Sequence, residues 1–125
     1  MDRRRTASLV DRKLRRGELW RADFGADPTD PEQAFLRPAL IVSDDRLHHP
    51  ALRMVIVVPG TSTLRGLPLH VVVEPDGANR LAQPTAFQVE QIRAISTARL
   101  TEPIGAVSAE AMAAIDETLL AVLGL

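Results

Sequence analysis

Hydrophobic positions in this chain follow two periods, and one gives way to the other near residue 108. Residues 18–24 alternate, with Trp20, Ala22 and Phe24 on one face and Arg21 and Asp23 on the other, the pattern of a strand with one buried side. Residues 39–42 and 54–58 are continuous apolar runs, the pattern of central strands covered on both faces. They predict strands over 38–43 and 54–58, the second ended by Pro59-Gly60. A further apolar strand is expected over 69–73, a longer half-exposed one over 85–95, and a short last one over 104–107. The intervening segments 25–36, 44–52 and 74–84 hold the turn-forming residues and read as loops.

After residue 108 the period becomes helical. Ser108 is a natural N-cap and Glu110 puts negative charge in the first turn. Met112, Ile115, Leu119, Val122 and Leu123 make one apolar face, and Gly124 stands where a left-handed C′ residue is expected. Short strands followed by one terminal helix predict a mainly β fold, a small curled sheet or barrel with the helix docked on it.

Composition narrows the picture. At 125 residues the chain has room for one domain, and the absence of cysteine removes disulfides, thiolate catalysis and cysteine-based zinc sites together. No apolar run approaches the ~20 residues of a membrane span, and the charged N-terminus lacks the apolar segment of a signal peptide, so no membrane association is expected and a cytoplasmic location fits. The net charge of −1 hides an asymmetry: residues 1–16 carry seven basic side chains against two acids. We therefore divide the chain into a basic, mobile arm (1–16) and a globular domain (17–125). Such an arm suits neutralisation of nucleic-acid phosphates, and a solvated tail fits it equally. The aromatics Trp20, Phe24, Phe35 and Phe87 offer one or two stacking platforms at most, too few for a general single-strand binder.

Two places have chemistry to offer. Arg37 precedes Pro38 at a strand entrance, where proline holds its backbone extended; a fixed guanidinium there suits gripping a phosphate or carboxylate. An ion pair with an acid at a sheet edge is the competing reading. Thr61 and Ser62 follow Pro59-Gly60 at the end of a strand, either as ligand-facing hydroxyls or as an ordinary hydroxyl-rich turn. His70 reads as a core or rim residue of its strand, His48 and His49 as solvated loop residues, and Asp44-Asp45 as a turn. No histidine or carboxylate spacing suggests a metal, and no cofactor is called for.

In order, Arg16-Gly17-Glu18-Leu19-Trp20, Glu32-Gln33, Arg37-Pro38-Ala39-Leu40-Ile41-Val42-Ser43, Val57-Val58-Pro59-Gly60-Thr61-Ser62, His70-Val71 and Glu90-Gln91-Ile92-Arg93-Ala94-Ile95 resemble the motifs of the MazF/PemK family of toxin endoribonucleases over residues 16–125. The resemblance implies a small SH3-like barrel of the CcdB/MazF type with a C-terminal helix, usually a homodimer. It implies sequence-selective, metal-independent cleavage of single-stranded RNA to 2′,3′-cyclic phosphate and 5′-hydroxyl ends, and a cognate antitoxin whose acidic C-terminal segment covers the RNA groove. The family's catalytic arginine and threonine fall on Arg37 and Thr61. Phe35, Ser62, Arg65, Arg80, Gln91 and Arg93 are the candidate RNA contacts.

The chemistry fits in part. A guanidinium with a pKa above ~12 is an anion clamp and a poor base, and a threonine hydroxyl is no better. Arg37 and Thr61 are therefore read as stabilising charge on phosphorus, with the proton acceptor unassigned. Two departures from the family stand out. The loop before Arg37 is acidic (Asp27, Asp30, Glu32), which opposes RNA binding, and Gly60 replaces a branched residue, which is expected to loosen Thr61. The alternative reading is a non-catalytic, CcdB-like toxin that binds DNA gyrase.

Overall fold

The computed structural model describes residues 13–25 and 36–125. Most of the arm expected over 1–16, most of the loop expected over 25–36 and the candidate Phe35 lie outside the described residues. The elements are β1 (Glu18–Asp23), β2 (Leu36–Ile41), β3 (Met54–Thr61), β4 (His70–Val73), β5 (Thr85–Gln88), β6 (Arg93–Ser96), β7 (Leu100–Ala106) and α1 (Ala109–Leu123). The strands form one sheet in the order β4-β5-β3-β2-β1-β7, with β6 joined to β3 off that path. This is the mainly β fold with a terminal helix that the periodicity predicts. The sheet is curled rather than closed, since β4 and β7 are the two ends of its path.

The curl originates in β3. Its first half, Met54 to Val57, pairs with β6, while Gly60 and Thr61 pair with β5. Pro59-Gly60 therefore does not end the strand as expected. The donor that Pro59 lacks falls where β3 passes from one partner to the other, a position that a sheet tolerates. The expected single strand over 85–95 is likewise two strands, β5 and β6, separated by a 3-10 turn at Val89–Gln91. That corner lets both segments pair with the same bent β3. The last strand is longer than expected, because β7 follows β1 through two register shifts that hide its alternation.

The unbroken apolar run in β2 has the consequence expected of it. Ala39 and Ile41 enter one hydrophobic cluster with Trp20, Ala22, Val55, Val57 and Ile95, against which Phe24 packs. Leu40 and Val42 enter the other, with Leu19, Val58, Phe87, Val89 and Ile115. Trp20 is core, at 1% exposure.

Helix α1 covers the second cluster. The Ser108 hydroxyl accepts from the Ala111 N–H at 3.1 Å, and Gly124 closes the helix at φ +69°. Ile115 is fully buried, with Met112, Leu119 and Val122 packed around it. Leu123 departs from the predicted face and is exposed, because it lies about 100° round the helix from Val122.

His48 is not the solvated residue expected. Its side chain is 2% exposed, one ring nitrogen 2.6 Å from Ser43 Oγ and the other 2.7 Å from the Leu14 carbonyl. It ties the segment before β1 to the end of β2. Among the described residues no helix is long and apolar enough to cross a membrane.

Candidate active site

The β2–β3 register pairs Ala39 with Pro59. Arg37 and Thr61 each lie two residues past that last pair, at the same end of the β2–β3 ladder. Both residues line a cleft of about 340 Å³, together with Ser62, Arg80, Gln83 and Arg21.

Arg37 is 5% exposed and lies in the interior of the sheet path, not at the edge that the competing reading required. Its Nε donates to the Gly60 carbonyl at 3.0 Å and its Nη2 to Gln88 Oε1 at 2.5 Å. The guanidinium carbon is 5.9 Å from the centre of the Phe24 ring, and that of Arg93 is 5.6 Å from the same centre. Two cations share one aromatic ring, an arrangement favourable where water is partly excluded.

Thr61 is 8% exposed, and its Oγ1 accepts from the Thr63 N–H at 3.1 Å. With the oxygen engaged as an acceptor, the hydroxyl proton is what the group can give to a ligand. The expected loosening by Gly60 is not found. Gly60 pairs with Phe87 across β5, and a Cβ there would stand 2.7 Å from Thr85 Cγ2 and 3.0 Å from Phe87 Cε1. Only glycine fits where β3 presses on β5.

Arg80 reaches the cleft from the loop between β4 and β5, at a left-handed φ of +56°. Asn79, fully buried, braces that loop: its Oδ1 accepts from Asp76 N and Leu81 N at 3.0 Å each, and its Nδ2 donates to the Glu74 carbonyl at 2.8 Å. Asp76 Oδ1 accepts from Ala78 N at 2.9 Å and Asn79 N at 2.7 Å. Gly105 of β7 lies so close that a Cβ would fall 2.4 Å from the Ala78 carbonyl oxygen.

Of the predicted site residues, Arg37, Thr61, Ser62 and Arg80 therefore converge on one cleft. Arg93 joins them through Phe24. Arg65 is exposed on the loop after β3 and Gln91 is exposed at the β5–β6 corner; neither belongs to the lining. Sequence reasoning missed Gln88, Phe24 and Arg21. Gln88 had a signal, an amide inside a strand whose other residues are all buried and which must therefore find a partner. Phe24 was assigned to the core face of β1, and its half-burial beside two guanidinium groups depends on β2 and β6. Arg21 lines the cleft while its Nε donates to Glu102 Oε1 at 3.1 Å, which offsets its charge.

No histidine or carboxylate is among the described lining residues. His70 is the core or rim residue expected, its side chain 3% exposed, with Nε2 3.2 Å from Glu90 Oε2. The described residues contain no group of three histidine, cysteine, aspartate or glutamate side chains placed to hold a metal ion. The cleft can grip an anion and donate hydrogen bonds to it.

Residues 15–123 match the family described as PemK-like, MazF-like toxin of type II toxin-antitoxin system. Endoribonuclease MazF9 of Mycobacterium tuberculosis is 40% identical over 111 residues, which cover 85% of this chain and 92% of that protein. The solved structure of the M. tuberculosis toxin MazF-mt6 superposes with a TM-score of 0.70 at 28% identity, covering 86% of this chain and 97% of that one. A mycobacterial endoribonuclease solved with its cognate antitoxin shares the fold, with a TM-score of 0.70 at 24% identity over 91% of this chain and 96% of that one.

Proposed function

The chain belongs to the PemK-like, MazF-like toxins of type II toxin–antitoxin systems, and on that footing we propose that it cuts single-stranded RNA with Arg37 and Thr61 as its catalytic pair. The observation that carries this reading is the convergence of the two residues. They line one cleft from neighbouring strands, and the Arg37 guanidinium is anchored on the carbonyl of Gly60, the residue before Thr61.

In the reaction, the 2′-hydroxyl gives up its proton as its oxygen attacks the adjacent phosphorus, the bond from phosphorus to the 5′-oxygen breaks, and the departing oxygen takes up a proton. The products are a 2′,3′-cyclic phosphate and a 5′-hydroxyl. Negative charge grows on the non-bridging oxygens as the phosphorane forms. A buried guanidinium and a hydroxyl donor aimed at those oxygens stabilise it in place of water and without reorganisation. The described lining holds no group of ordinary basicity near neutral pH, so charge stabilisation is its contribution.

Ser62 and Arg80 hold the phosphates flanking the cut, and Arg93 extends the positive surface past Phe24. Phe35, Arg65 and Gln91 contact nucleotides farther along the strand. The cognate antitoxin lays an acidic segment over the same arginines, as charge complementarity favours. The toxin acts as a homodimer of the 17–125 domain in the cytoplasm, and the basic side chains of the 1–16 arm, apart from Arg16, which pairs with Asp116, add phosphate contacts. MazF9 and the mycobacterial protein solved with its antitoxin are endoribonucleases by name, and the gyrase-binding alternative is set aside.

The test is cleavage of a long RNA in EDTA with the ends mapped. The protein is expected to leave 5′-hydroxyl ends, and Arg37→Ala to lose at least 100-fold in rate, the order of effect of removing one donor from a preorganised anion site. Undiminished cleavage by Arg37→Ala overturns the site.

A further inference from the structure

We propose that Gln88 is a positioning residue for cleavage, fixing the plane of the Arg37 guanidinium through a neutral carboxamide; the proposal rests on Arg37 being the phosphate clamp. Gln88 is 6% exposed and ends β5, whose residues are all buried. Its Oε1 accepts from Arg37 Nη2, and the Gly60 carbonyl accepts from Arg37 Nε at 3.0 Å. A guanidinium is planar, so two acceptors on different nitrogens fix its orientation as well as its place. One acceptor is on β3 and the other on β5, and the two strands are joined at Gly60↔Phe87, next to both.

The acceptor's chemistry matters as much as its position. A carboxylate would reach Arg37 with the same geometry but would add a negative charge beside the phosphate clamp. At this degree of burial that charge is poorly screened, and it would repel the phosphorane as directly as Arg37 attracts it. A carboxamide supplies the hydrogen bond without the charge. On the far side, Gln88 is the cross-strand neighbour of His70, whose Nε2 is engaged with Glu90 and whose buried Nδ1 has no hydrogen-bond partner. The amide is thus bonded to the clamp on one side and pairs across the strands with His70 on the other.

A merely structural amide and a positioning amide respond oppositely to one substitution. Gln88→Glu keeps the shape and the hydrogen bond, whereas Gln88→Leu keeps the bulk and removes the acceptor. Cleavage of a short RNA is followed under single-turnover conditions, with affinity measured on the same RNA carrying a 2′-deoxy residue at the cut and folding read from the melting curve. We expect Gln88→Glu to melt like the parent, bind the deoxy-substituted RNA within about threefold, and cleave about 100-fold more slowly, as when one donor of an anion site is cancelled. Gln88→Leu is expected to bind similarly and cleave at least tenfold more slowly, from a guanidinium that has lost its orientation.

Cleavage by Gln88→Glu within threefold of the parent overturns the proposal. Should Gln88→Leu fail to fold, Gln88→Glu decides alone. Arg37→Ala is measured alongside. If it stays active, the clamp reading itself has failed; if it is inactive while both Gln88 variants cleave normally, only the role of Gln88 has failed.

Discussion

Gly60 is the point at which packing and chemistry meet, and replacing it with alanine tests both. The new Cβ would lie 2.7 Å from Thr85 Cγ2, 3.0 Å from Phe87 Cε1 and 3.3 Å from Phe87 Cδ1. Carbon atoms pack best at about 3.5–4.0 Å, so the strands must part by close to an ångström. Neither neighbour yields easily. Phe87 is fully buried, and the Thr85 hydroxyl donates to the Gln83 carbonyl at 3.0 Å. Overpacking of this kind costs about 1–3 kcal/mol. A functional loss of similar size is expected, because the Gly60 carbonyl holds Arg37 and its neighbour is Thr61. A displacement near 1 Å at a reacting centre lowers rates by about 100-fold. Urea unfolding and single-turnover RNA cleavage measure the two effects. Thr85→Ser removes the nearest methyl and keeps the hydroxyl, so Gly60→Ala/Thr85→Ser should regain part of both losses, with a coupling above the ~0.5 kcal/mol expected of independent sites. A Gly60→Ala protein with the parent's stability and rate would refute the claim that this contact sets the site.

Two further predictions concern the surroundings. Asn79→Ala removes three side-chain hydrogen bonds from the loop carrying Arg80. At about 1 kcal/mol each it should cost about 3 kcal/mol in urea unfolding and raise KM with little change in kcat; unchanged stability would show that the brace carries no load. Asp44 caps the 3-10 turn Asp45–Leu47, and its hydrogen bonds from Arg46 hold its carboxyl down, from 3.8 to about 2. Its stabilising contribution is thus fully present above the ordinary carboxylate range and lost only as the pH falls through about 2. An NMR titration should place the Asp44 midpoint near 2 and Arg46→Gln should move it up; a midpoint near 4 in the parent contradicts the pairing.

The parts of the fold legible in the sequence are those set by local rules. The doubly buried β2 could be read because Ala39, Leu40, Ile41 and Val42 leave no polar face, and the ends of α1 because Ser108 and Gly124 act within one turn of themselves. The bends were not legible. Pro59-Gly60 reads as a strand terminus in any local scheme, and only the presence of two partners, β6 before it and β5 after it, makes it an interior bend. The same partners divide residues 85–95 at Val89–Gln91. Nor does local polarity show that His48 is buried, since what satisfies it is the Leu14 carbonyl, 34 residues away.

The site follows the same division, which explains why Arg37 supported two readings at first. Its residue type and the proline after it establish a fixed cation, and nothing local decides what the cation is for. The decision comes from contacts 23 and 51 residues distant, the Gly60 carbonyl and the Gln88 amide. Burying a guanidinium is costly unless its donors are satisfied, so these acceptors are first a condition of folding. They are also neutral, so neither opposes an anion entering a cleft lined by hydroxyls and arginines. The sheet's demand for satisfied donors and the reaction's demand for a preorganised positive charge are met by the same two hydrogen bonds. That is why Gly60→Ala is expected to lose stability and cleavage together, while Gln88→Glu, which keeps the hydrogen bond, is expected to lose cleavage alone.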